Sequence, residues 1–180
     1  MPIAPDTKNW TWVLERACNQ CSFDPTDWVA EDVTHAVRTQ GDIWTRLLAH
    51  PDAARRPVED QWSALEYGCH VRDVFRIFDH RLERMLTEDA PRFDNWDQDV
   101  AAVEDHYGDQ VVATVTSELV AAAEAFADRL DTVAGDQWDR TGLRSDGAEF
   151  AVRTFALYMI HDPVHHVADV ESGYQWMHTP

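Results

Sequence analysis

Residues 63–77 read Ser63-Ala64-Leu65-Glu66-Tyr67-Gly68-Cys69-His70-Val71-Arg72-Asp73-Val74-Phe75-Arg76-Ile77, and this stretch decides the fold class. A serine followed three residues later by a glutamate is the capping-box pattern, in which each side chain accepts a hydrogen bond from the other residue's backbone N–H. Beyond that start, Tyr67, His70, Val74 and Ile77 recur at three-four spacing and share one helical face, while Arg72, Arg76 and Glu83 lie elsewhere. A helix to about Thr87 is expected, with His70 on or beside its apolar seam.

The same periodicity extends in both directions. Val29, Val33, Val37, Ile43, Trp44, Leu47 and Leu48 predict a helix from about Thr26 to Ala49, ended by His50-Pro51. Residues 90–108 are acidic, aromatic and aperiodic, as suits a crossover with at most a short helical turn. From Gln110 to about Val133, the residues Val111, Val115, Leu119, Ala122, Phe126 and Leu130 form a strong stripe, with Gly135 as the stop signal. Asp136 to Gly147 is turn-rich, with room for a small hairpin, and a last helix is expected from about Ala148 to Ser172, ended by Gly173. Residues 1–27 hold Pro2, Pro5 and Pro25 and read as an irregular arm, tied down by Trp10, Trp12 and Leu14. Four helices with one longer crossover imply an all-α four-helix bundle, whose sites are built from inward-facing side chains. A chain of 180 residues suits one such domain over its whole length.

Charge narrows the partners. With 33 acidic against 15 basic side chains, the net charge of -18 repels phosphate backbones and anionic head groups, so neither nucleic acid nor membrane is expected as a partner. Acidic clusters such as Asp94 to Asp99 read as solvated faces. No apolar run approaches the length of a membrane span, and the first residues do not resemble a signal peptide. Three cysteines, Cys18, Cys21 and Cys69, are an odd number, which points to reduced thiols and a cytoplasmic protein.

The chemistry concentrates in Tyr158-Met159-Ile160-His161-Asp162-Pro163-Val164-His165-His166-Val167. His161 and His165 are four apart, so a helix stacks both imidazoles on one largely apolar face, a metal-chelating arrangement. With a third imidazole from His70, three protein ligands would leave a fourth position open for water or substrate. Spacing alone equally allows these histidines to be core or surface side chains that bind nothing. Pro163 is expected to kink the helix, which either weakens the spacing argument or re-aims His161 toward His70. His166 points about 100° away from His165 and reads as an outer residue. Asp169, four after His165, is placed to accept a ligand ring's free N–H. Arg153, two turns before His161, is a candidate for a substrate carboxylate, against a plain surface role. Cys18 and Cys21 form a C-x-x-C, either half of a zinc site, a redox pair, or an incidental pair lacking two further ligands. Cys69 reads as a small packed hydrophobe. Trp62 and Trp138 read as anchors for a helix start and a loop. No phosphate-binding glycine loop and no nucleophile elbow is present.

The segment from Trp62 to His70 resembles the second-helix motif of the DinB/YfiT-like family, a tryptophan followed eight residues later by a metal-binding histidine. Trp138-Asp139-Arg140-Thr141-Gly142, Ser145-Asp146-Gly147 and His161 to Asp169 resemble the last third of actinobacterial DinB-like thiol transferases. They are also similar to the N-terminal domain of mycothiol-dependent maleylpyruvate isomerase. The resemblance spans the chain from about Trp28. It implies a four-helix bundle binding a divalent metal, zinc or else nickel, through His70, His161 and His165. In isomerase-like members the position of His161 is a glutamate. It further implies transfer or isomerisation assisted by a small thiol, mycothiol or a relative, whose thiolate attacks an electrophilic partner. Maleylpyruvate isomerases carry a second domain at the active site, and no residues remain here for one, so that particular isomerisation is not expected. Two other readings stay open: a non-catalytic metal- or ligand-binding stress module, and a structural bundle that pairs through a helix face as a homodimer.

Overall fold

The computed structural model describes residues 9–179, so the start of the arm, with Pro2 and Pro5, lies outside the described residues. Four long helices, α1 (Val33–Leu48), α2 (Ala64–Thr87), α4 (Val112–Leu130) and α5 (Val152–His178), form the bundle. The crossover between α2 and α4 carries a two-residue strand β1 (Arg92–Phe93) and a short helix α3 (Gln98–Glu104). Strands β2 (Thr141–Arg144) and β3 (Glu149–Ala151) form a hairpin that feeds directly into α5. Helices α1 and α2 both pack against α4, and α5 packs against α1 and α2. Trp44, Phe75, Leu82, Leu119, Phe126, Met159 and Ile160 are fully enclosed between them.

Local chemistry accounts for the element boundaries. Ser63 caps α2: its Oγ accepts from the Glu66 N–H at 3.2 Å, and Glu66 Oε2 accepts from the Ser63 N–H at 2.9 Å. Glu66 is itself buried and takes a second partner in the Arg56 guanidinium. α1 begins at Val33, later than expected, because Asp24 accepts from the Thr26 N–H and turns the chain at Pro25. Trp28 and Val29 are then extended, Trp28 stacks near Phe23, and Val29 is 57% exposed. The apolar stripe therefore misleads at its first member. Val111 is likewise exposed, while Val115, Leu119, Ala122, Phe126 and Leu130 are buried.

Two glycines expected as helix stops act otherwise. α4 already ends at Leu130, and Gly135, with φ 57°, opens the next short turn instead. Gly173 lies inside α5, where an added Cβ would come 3.2 Å from the Pro57 ring, so close packing and not termination requires it. α5 also runs unbroken through Pro163, which preserves the four-residue phase on both sides of it.

The hairpin adds a small sheet to the expected all-helical bundle. β2 is its central strand, parallel to β1 and antiparallel to β3, and Gly147, at φ 92°, makes the turn. Arg140 Nε donates to the Met85 carbonyl at 2.6 Å, which fastens this sheet to the end of α2. No helix among the described residues is long and apolar enough to cross a membrane.

Candidate metal centre

α5 carries two interleaved pairs at four-residue spacing, His161/His165 and Asp162/His166. One residue of offset turns the second pair about 100° around the helix from the first, and the two pairs keep different company.

Asp162 and His166 meet His70 of α2: one donor atom from each lies within 4.8 Å of the others. His70 is fully buried, with Nε2 3.2 Å and 3.4 Å from the two Asp162 oxygens. Trp96 lies flat against the His70 ring, 5.3 Å between centroids and 8° from parallel. His166 donates from Nδ1 to Asp169 Oδ2 at 2.8 Å. In the neutral ring that bond leaves the lone pair on His166 Nε2, which lies 3.9 Å from Asp162 Oδ2. Burial raises the Asp162 carboxyl, but the His70 and His166 rings outweigh it and hold the group below its ordinary range. Asp169 follows the same pattern, its burial outweighed by the bond from His166. Both carboxylates are therefore ionised at neutral pH.

His161 and His165 turn instead toward the N-terminal arm, where their donor atoms gather with those of Cys18 and Cys21 inside the same 4.8 Å limit. Burial, and then the neighbouring His165, depress His161 to about 4, so its ring is neutral. Burial pushes the Cys21 thiol up to about 11. The expected triad of His70, His161 and His165 is thus divided between two clusters. The physical reason lies in helix phase: Phe155, Met159 and Ile160 pack α5 into the core and present Asp162 and His166, not His161 and His165, to α2. Asp162 was missed by the sequence reading, although the pair Asp162/His166 has the same spacing as the pair chosen.

The α5 members of both clusters, His161, Asp162, His165 and His166, line one cavity of about 920 Å³, walled also by Trp10, Trp62, Tyr67, Phe78, Trp96 and Tyr158. Trp62, read as an anchor, is part of this wall. Arg81 and Arg144 line the cavity together with Asp97, Asp99 and Asp146. Arg144 pairs with Asp146 at 2.7 Å and donates to the Tyr158 hydroxyl at 3.0 Å. Arg81 donates to the Asp94 carbonyl at 2.8 Å, and burial together with the Arg144 charge lowers its pKa. Arg153 is elsewhere. It pairs with Asp139 at 2.9 Å and does not line the cavity, because eight residues of helix leave it about 80° out of phase with His161. Cys69 is buried against the Tyr107 carbonyl, in keeping with a packed thiol.

A family model described as the DinB superfamily matches residues 35–170. The chain belongs to the DinB superfamily. It is similar to the solved structure of YfiT from Bacillus subtilis, described as a probable metal-dependent hydrolase with an unusual four-helix bundle topology. The two share 14% identity and superpose with a TM-score of 0.73 over 81% of this chain and 86% of YfiT. The likeness shows the four-helix-bundle fold. No curated protein matches the sequence.

The DinB-type bundle places at the cavity a donor set that suits a divalent cation. Two imidazoles and one carboxylate, with positions left open, form a common arrangement for zinc and iron. Asp162 Oδ1 is a buried oxygen without an aligned hydrogen-bond donor, although it faces His70. Such an atom is costly unless a cation or donor meets it.

Proposed function

We propose that this chain is a metal-dependent enzyme that transfers a low-molecular-weight thiol, mycothiol or a close analogue, to an anionic electrophile. The observation that carries this reading is the His70–Asp162–His166 set, whose Asp162 and His166 line a cavity that also holds Arg81 and Arg144. The three residues would hold the ion, zinc or else nickel. Bound there, it would act as a Lewis acid that favours the thiolate over the thiol at neutral pH. His166 is fixed in the required tautomer by its bond to Asp169. Trp96, flat on His70, shields the site from water on one side. Arg81 and Arg144 are the guanidinium groups of a lining that also holds Asp97, Asp99 and Asp146, and they would receive a carboxylate or similar anion of the electrophile.

With water in place of the thiol the same site would hydrolyse its substrate. That second reading is favoured by the fold shared with YfiT. The test loads the untagged protein with zinc or nickel and offers electrophilic carboxylates with and without mycothiol. Conjugate formation that disappears in Asp162→Asn supports transfer. Thiol-independent turnover with the same dependence on Asp162 replaces transfer with hydrolysis, and indifference to both metal and Asp162 overturns the proposal.

A further inference from the structure

The geometry points to a second, closed metal site, formed by Cys18, Cys21, His161 and His165, that holds a zinc ion and clamps the N-terminal arm onto α5. A single C-x-x-C is a weak signal because a closed zinc site needs four ligands. The fold supplies the other two from a helix about 140 residues further along the chain. Cys2His2 is a standard composition for structural zinc, and Cys-x-x-Cys with His-x-x-x-His falls within its usual spacing.

The distances suit the ion. Zn–S bonds of about 2.3 Å and Zn–N bonds of about 2.0–2.1 Å place tetrahedral ligand atoms about 3.3–3.8 Å apart. Cys18 Sγ and His165 Nδ1 are already 3.7 Å apart, and all four donors lie within 4.8 Å. Closing the set takes movements of about an ångström. The thiols are not joined to each other, since Cys18 and Cys21 are both free. A turn closed by the Ser22 N–H to the Cys18 carbonyl at 3.0 Å brings the two thiols together.

A second, independent observation is the state of His161. It is 4% exposed, and its Nε2 is buried with no hydrogen-bond partner. An imidazole nitrogen left so costs free energy unless a ligand meets it. Charge also balances: two thiolates and two neutral imidazoles around Zn²⁺ sum to zero, and a neutral cluster tolerates this interior where a lone ion would not.

Aromatic rings crowd the two histidines. Trp10 lies 5.4 Å from the His161 ring and 4.9 Å from the His165 ring, and Phe23 meets the His161 ring edge-on at 5.3 Å. Four protein ligands under an aromatic cover make a structural site. Its role is to hold the arm, and with it Trp10, as a wall of the cavity. Asp169, which accepts from His166, also lies 3.8 Å from His165 Nε2, so one carboxylate sits beside a ligand ring of each cluster.

The test uses the full-length, untagged protein with cobalt(II) in place of zinc. A thiolate-to-cobalt charge-transfer band is expected, abolished in Cys18→Ser/Cys21→Ser and retained in Asp162→Asn, which disables only the other cluster. Because the cysteine variant could unfold, the wild type is also titrated with a mercurial reagent, which is expected to release one zinc as the Cys18 and Cys21 thiols are blocked. The inference is overturned if bound cobalt gives no thiolate band, if the band survives the double substitution, or if mercurial titration releases no zinc.

Discussion

Replacing Asp169 with asparagine keeps the shape of the side chain and removes the charge that accepts the His166 Nδ1–H at 2.8 Å. The carboxylate makes no direct claim on the proposed ion at the His70 cluster. It fixes the His166 ring and raises the basicity of Nε2, and an amide can do neither as well. Loss of such an outer partner lowers metal affinity 10–100-fold, about 1.4–2.7 kcal/mol. The upper half of that range is expected, because the bond is short and Asp169 is largely sheltered from water, its side chain 32% exposed. Competition with a chromogenic chelator measures the affinity directly, with circular dichroism confirming an unchanged helix content. Asp139→Asn, which alters only an exposed pair with Arg153, is the control and leaves the affinity as it was. Equal affinities for wild type and Asp169→Asn would refute the reasoning, since the carboxylate would then have no part in holding the ring.

Three further outcomes follow from the packing and the charges. Gly142→Ala places a Cβ 2.7 Å from the buried Phe93 ring and lowers stability by about 1–3 kcal/mol in urea unfolding; an unchanged midpoint would mean that the β1–β2 contact is looser than it looks. Phe126→Ala opens a cavity in the fully enclosed α4 seam and costs about 3–5 kcal/mol by the same assay. Burial raises the Glu66 carboxyl, but Arg56 and Ser63 outweigh it and hold it below its ordinary value. Its stabilising contribution is therefore complete above the unfolded carboxylate pKa near 4.3 and is lost as pH falls through the lower folded value. Glu66→Gln should destabilise the protein at pH 7 by about 3 kcal/mol and flatten the acid limb of its stability profile; a parallel acid limb would contradict this.

The helices were legible because each buries a continuous stripe, and the start of α2 was legible because Ser63 and Glu66 satisfy each other locally. The ends were less so. Gly135 and Gly173 look identical in sequence to stop signals, yet one sits past the helix end and the other meets Pro57 within a helix. The grouping of the candidate site was less legible still. A helix presents His161/His165 and Asp162/His166 with the same spacing, and only the packing of α5 against α2 decides which pair faces His70. Sequence periodicity contains the pairs and not that phase. Cys18 and Cys21 leave half a zinc site, a redox pair and an incidental pair all open in sequence for the complementary reason: their neighbours His161 and His165 are far away in the chain and become neighbours only when the arm folds back.

The central claim is that the cation of this bundle sits on His70, Asp162 and His166. Crystals of the metal-loaded protein, measured on both sides of the metal's absorption edge, test it most directly. An anomalous peak is expected within bonding distance of His70 Nε2, His166 Nε2 and an Asp162 oxygen, open toward the cavity. An anomalous peak that joins His70 to His161 and His165, or a fully loaded crystal with no peak beside His70, would contradict it.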